Sequence, residues 1–197
     1  MVNKVDELST TFYSYGIHVG VLTETWLSGK ISNGIIDLSG FSVVKRDRPD
    51  RRGGGGVYIR DNIPFVQLHD LVDPQLESSW LLLKPHRLPH GINSLILGAI
   101  YHPPGNDDRV LVNHITESLD GVLCSHPNAG IIIAGDFNQF KHGHFCNLFN
   151  LKQTVKHRQE ATTSSIKCSP TFQDFTLFQL SWPQLASLII TQLSCLL

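Results

Sequence analysis

A carboxylate and a carboxamide stand two residues apart in Gly135-Asp136-Phe137-Asn138, directly after the apolar run Ile131-Ile132-Ile133-Ala134. On an extended chain such residues point the same way, so at a strand end both side chains reach toward one cleft. Together they can activate and orient a water or share a metal ion. By spacing alone, Asp and Asn after a strand more often make a turn. Glu24, in Thr23-Glu24-Thr25-Trp26, follows a second apolar run, Ile17 to Leu22. A carboxylate there suits a hard cation such as Mg²⁺, or is a solvated strand-end residue. Tyr101 precedes His102-Pro103-Pro104. Its hydroxyl, held stiffly before two prolines, can meet a phosphate oxygen, or the ring packs in a Pro-rich turn.

The elements that must position these groups are legible in part. Val5, Leu8 and Phe12 recur near the helical period and predict an amphipathic helix over Val2 to Tyr15. Short strands are predicted at Ile17 to Leu22, Phe41 to Val44, Val57 to Ile59 and Trp80 to Leu83. Arg51 to Gly56 reads as a flexible run. Ser94 to Tyr101 is apolar on both faces, as a strand inside a covered sheet must be, and the prolines after Tyr101 end it. Asp107 to Leu123 predicts a helix with Val110, Ile115, Leu119 and Val122 on or near one face. Ile131 to Ala134 is a second buried strand. Strands this apolar require cover on both sides, which a two-sheet β-sandwich flanked by helices, a four-layer α/β arrangement, supplies.

Composition narrows the classes. The chain has 197 residues, 41% apolar and 17% charged, which suits one globular domain and excludes disorder. A formal net charge of −1 gives no global field for nucleic acid, so such binding must rest on a local patch. Lys45, Arg46, Arg48, Arg51 and Arg52 crowd one segment, tempered by Asp47 and Asp50, and can pair with backbone phosphates or form a solvated loop. Cys124, Cys146, Cys168 and Cys195 include no C-x-x-C pair and read as buried or partly buried thiols of a reducing compartment. Neither His142, His144 and Cys146 nor His86 and His90 has a strong zinc spacing. MVNKVDELSTT lacks a signal-peptide core, and Leu185 to Leu197 is too short to span a bilayer. The chain therefore reads as intracellular and without a membrane partner.

In this order and at these intervals, GVLTETWL, GGGGVYIR, AIYHPPG and IIIAGDFN resemble the endonuclease/exonuclease/phosphatase superfamily, in particular its non-LTR retrotransposon endonuclease branch. The resemblance runs from Met1 to about His157 and implies a DNase I-like sandwich with its active site at one edge. It implies Glu24 as metal ligand and Tyr101 as the contact to the scissile phosphate. Asp136 would prepare the attacking water and Asn138 orient it. Mg²⁺ or Mn²⁺ would be the cofactor and DNA the partner. A monomer is expected, with a reverse transcriptase domain in the parent element and a nuclear location for a working enzyme.

Two features of the branch are missing. The chain begins where the opening strand, which bears an Asn, should be ending, so the domain over residues 1–157 is expected to be incomplete. No Ser-Asp-His occurs in the sequence, although the branch closes on that run. Residues 158–197 are rich in Ser, Thr and Gln, with no clear period before the apolar end. Codons compatible with Ser187 to Ile190, read from their third base, spell Ser-Asp-His. The expectation is an out-of-frame, poorly ordered tail and an impaired nuclease. The alternatives are a catalytically dead remnant that at most binds nucleic acid or metal, and a phosphatase of the same fold.

Overall fold

The computed structural model describes residues 5–23, 25, 32–46, 54–138, 140, 143–156, 175–180 and 190–191. Helix α1 is Val5–Ser14, followed by strands β1 Val19–Thr23, β2 Phe41–Arg46, β3 Gly55–Arg60, β4 Phe65–Gln67, β5 Glu77–Leu83 and β6 Ser94–Tyr101. Helix α2, Asp108–Ser125, leads to β7 Ala129–Asp136, α3 Gly143–Leu148, β8 Leu151–Lys156, β9 Phe175–Leu180 and β10 Ile190–Thr191. A four-stranded sheet has the order β10-β1-β3-β2 and a six-stranded sheet the order β4-β5-β6-β7-β9-β8. Strands β6 and β7 run parallel through the α2 crossover, whereas the other pairs of the larger sheet are antiparallel.

Strand alternation builds three apolar layers. Val19 and Val21 of β1 and Val57 and Ile59 of β3 meet Leu81, Leu83, Leu95, Leu97, Ile132 and Ala134 between the sheets. The opposite face of the larger sheet, with Trp80, Ile96, Ile100, Ile131 and Ile133, is covered by Leu111, Ile115, Leu119 and Val122 of α2. Each of these helix residues is worth roughly 2 kcal/mol when fully buried. Leu111, not Val110, completes that stripe, since Val110 is 44% exposed. Asp107 caps α2, its side chain accepting from the Arg109 amide at 2.9 Å. Leu8 and Phe12 of α1 cover the outer face of the smaller sheet against Leu22, Phe41 and Tyr58. Phe12 can press there because residue 20 is glycine: a Cβ would lie 2.1 Å from its ring. The result is the expected four layers, helix, sheet, sheet, helix.

The glycine run corrects one expectation. Gly55 and Gly56 are strand residues, paired with Thr23 and Leu22 on one side and with Arg46 and Lys45 on the other. Ladder bonds from both neighbours hold what composition alone assigns to a flexible loop. Segment 158–197 supplies β9, inserted between β7 and β8, and β10, parallel to β1. The rest of that segment lies outside the described residues. Among the described residues no helix is long and apolar enough to cross a membrane.

Candidate active site

Register brings the predicted groups to one rim. Tyr101 pairs with Asp136 across the parallel β6–β7 ladder, and with Glu77 across the antiparallel β5–β6 ladder. Residues in lateral register share a face. Leu97 and Ala99 on β6, and Ile132 and Ala134 on β7, point between the sheets. By alternation Tyr101 and Asp136 continue that inner face to the end of the sandwich, on strands about 5 Å apart. Both are largely buried, at 9% and 6% exposure.

Backbone chemistry dictates the GDFN turn. Gly135 has φ +151°, and a Cβ there would sit 1.7 Å from the Ile100 carbonyl oxygen, so only glycine fits. Asn138 has φ +47°, a left-handed conformation that Asn tolerates better than most residues. Its amide N–H donates to Asp136 Oδ1 at 3.0 Å, and its Nδ2 donates to the His102 carbonyl at 2.8 Å. The His102 amide in turn donates to the Asp136 carbonyl at 2.8 Å. Turn formation and a chemical role, weighed against each other in the sequence, are thus compatible: the turn aims the carboxylate and the carboxamide.

Opposite lies the end of the smaller sheet. Thr23, the last residue of β1, lines a cleft with Gly55, Arg46, Glu77 and Tyr101. Glu24 lies outside the described residues. Its neighbours Thr23 and Thr25 are both buried, and the Thr25 amide donates to the Gly54 carbonyl at 3.3 Å. Glu77, which sequence reasoning missed, accepts from the Gly54 amide through Oε2 at 2.6 Å. The available signal was a carboxylate three residues before the apolar run at which the β5 prediction begins.

Of the basic segment, Lys45 and Arg46 are in β2, whereas Arg48, Arg51 and Arg52 lie outside the described residues. Arg46 Nη2 donates to the carbonyls of Asp73 (2.7 Å) and Leu76 (3.1 Å), which joins β2 to the approach of β5. Cys146 is half-buried and burial pushes its thiol pKa up, while Cys124 is exposed, unlike the expected covered thiol. Cys168, Cys195 and His142 lie outside the described residues, as does the side chain of His144. Among the described residues no three His, Cys, Asp or Glu side chains cluster to hold a metal. The donors at the rim are carboxylate oxygens, the set that suits a partly hydrated Mg²⁺ held by one or two protein ligands.

The family model of the endonuclease/exonuclease/phosphatase family matches residues 1–175, and the chain belongs to that family. Its fold is similar to that of the endonuclease domain of TRAS1, a telomere-specific non-LTR retrotransposon, at TM-score 0.61 and 10% identity, over 90% of this chain and 79% of that one. The human Nocturnin catalytic domain follows at TM-score 0.57 and 12% identity, covering 90% and 75%. The D. rerio TDP2 structure complexed with a single-strand DNA product has TM-score 0.55 and 11% identity, covering 92% and 78%. No curated protein sequence matches the chain.

Proposed function

We propose that the chain is a divalent-metal-dependent phosphodiesterase domain that cuts DNA, of the type carried by non-LTR retrotransposons, and that it is impaired as it stands. The observation that carries the reading is the lateral pairing of Tyr101 with Asp136, with Asn138 fixed beside them. Asp136 accepts the proton of the attacking water, and the Asn138 carboxamide orients that water. The Tyr101 hydroxyl donates to an oxygen of the scissile phosphate. Glu24 is the residue proposed to hold Mg²⁺ or Mn²⁺. When bound, the ion offsets the charge developing on the phosphate and leaving oxygens. Lys45 and its neighbours Arg48, Arg51 and Arg52 pair with backbone phosphates. The TRAS1 likeness and the DNA product in the TDP2 structure support DNA as the polymer. A nuclear location and a monomeric domain tethered to a reverse transcriptase belong to the same reading.

The absence of Ser-Asp-His from the sequence favours a second reading, a remnant without turnover. Groups that act as a unit are non-additive, and removing one can take most of the rate. The two readings, and a phosphatase of this fold, separate when the chain is incubated with Mg²⁺ and either supercoiled plasmid or a soluble inositol phosphate. Slow plasmid nicking that Asp136→Ala abolishes supports the nuclease. Turnover of the inositol phosphate alone overturns it in favour of the phosphatase. No turnover of either marks the remnant.

A further inference from the structure

His102 lies behind the site, and the mechanism above gives its side chain no part. It is 3% exposed. Its Nε2 meets Asp108 Oδ1, in the first turn of α2, at 3.0 Å. Its ring lies edge-on to Phe140, with centroids 5.8 Å apart. Its Nδ1 is buried with no hydrogen-bond partner among the described residues. A carboxylate only accepts, so Nε2 carries a proton and donates it to Asp108. The ring is therefore clamped between the start of α2 and Phe140. The backbone it anchors makes two bonds to the site, the amide to the Asp136 carbonyl and the carbonyl to Asn138 Nδ2.

We infer that His102 is the positioning residue of Asn138, locked in place by Asp108. The chemical consequence lies in the flip of the Asn138 carboxamide. A carbonyl oxygen accepts and cannot donate, so only the NH₂ side of Asn138 can face His102. Oδ1 is thereby turned to the other side, as the acceptor that a water requires. Without the clamp, the two flips of the carboxamide approach equal weight and half of the molecules present a donor where an acceptor is required. This inference rests on the proposed role of Asn138. It also gives the His and Asp of YHPPGNDD a reason to be those residues, where the prolines alone would suffice to end β6.

The test reads Asn138 directly. In the ¹⁵N-labelled full chain, exchange of the Asn138 side-chain amide protons with water is compared among variants, with backbone amides of β6 and β7 as the folding control. Asp108→Ala and His102→Leu are expected to speed that exchange roughly tenfold, the scale set by one lost hydrogen bond. His102→Gln, whose amide can donate to Asp108 from near the Nε2 position, is expected to restore slow exchange. Unchanged exchange in Asp108→Ala with the strands intact overturns the inference, as does a Gln variant that behaves like Leu. Should His102→Leu fail to fold, Asp108→Ala decides alone, since that carboxylate is 43% exposed. Exchange is read without turnover, so failure of the nuclease reading leaves it interpretable.

Discussion

The two sheets meet at the same rim and contribute to it in opposite ways. The six-stranded sheet delivers Glu77, Tyr101 and Asp136 in lateral register on strands packed from both sides, and a glycine that no other residue can replace sets the last step. The four-stranded sheet delivers Thr23, Lys45 and Arg46. In β2 the residues after Phe41 are only half-buried, and the glycines at the start of β3 sit without severe crowding. One side is fixed by packing and can hold reacting groups to a fraction of an ångström. The other is more open along β2, which suits contact with a long polymer.

The largest effect that separates the two sides is steric. Gly135→Ala puts a methyl group into the Ile100 carbonyl at a φ that L-residues avoid, and should cost about 3 kcal/mol or more. Gly55→Ala, whose Cβ would stop 3.4 Å from the Leu22 carbonyl, should cost about 1 kcal/mol or less. Chemical denaturation of both variants checks the contrast, and equal losses would break it. Next in size, Tyr101→Phe should lower turnover roughly a hundredfold, the scale of one donor to a reacting oxygen, well beyond what any change in the unfolding midpoint accounts for. A large stability loss would instead make Tyr101 a packing residue.

The sequence disclosed this asymmetry unevenly. β6 was legible to the residue, because an unbroken non-polar run from Leu95 to Tyr101 is closed by His102 and two prolines. β7 was legible in its isoleucines and short at both ends, where Gly130, Gly135 and Asp136 carry no strand signal. Helix α1 was found within about a turn. In α2, Val110 is the first apolar residue, but Leu111 stands four residues before Ile115 and eight before Leu119, and it is Leu111 that turns inward. Strands β4 and β8 and helix α3 left no usable period, being short or polar. At the site, Asp136, Asn138 and Tyr101 announced themselves by ending apolar runs. Glu77 and His102 did not, because their importance comes from partners 23 and 36 positions away in the chain, Gly54 and Asn138.

Arg46 and Lys45 sharpen the comparison within one strand. Arg46→Met removes donors to two carbonyls and should cost about 1–3 kcal/mol in denaturation. Lys45→Met should reduce the salt dependence of DNA binding by about one unit of log–log slope. The reverse assignment would mean that Arg46, despite its carbonyl partners, is the phosphate contact.

The smallest effect concerns the outer face of β5. His114 Nε2 receives the Trp80 indole N–H at 3.2 Å and lies 3.1 Å from Ser78 Oγ. Burial, foremost, pushes the His114 pKa below its ordinary 6.5, against the pull of Asp73 and Glu117. The unfolded chain therefore binds this proton more readily than the folded one. Stability contributed here is full above the ordinary histidine pKa and declines as pH falls below it. Unfolding midpoints measured downward from pH 7 should fall, and His114→Gln should flatten part of that slope. A slope identical in the variant would assign it to other groups.

The central claim is that the Asp136 corner performs metal-dependent DNA cleavage and that the missing Ser-Asp-His limits it. The most direct measurement follows conversion of supercoiled plasmid to open circle by this chain and by a form whose residues from Arg158 onward are restored in the shifted frame. Each is assayed with Mg²⁺, with EDTA, and as Asp136→Ala. The account predicts that the restored form nicks, that both EDTA and Asp136→Ala abolish this, and that the chain as it stands lags by roughly a hundredfold or more. A restored form that leaves plasmid supercoiled, or nicking that survives Asp136→Ala, would contradict it.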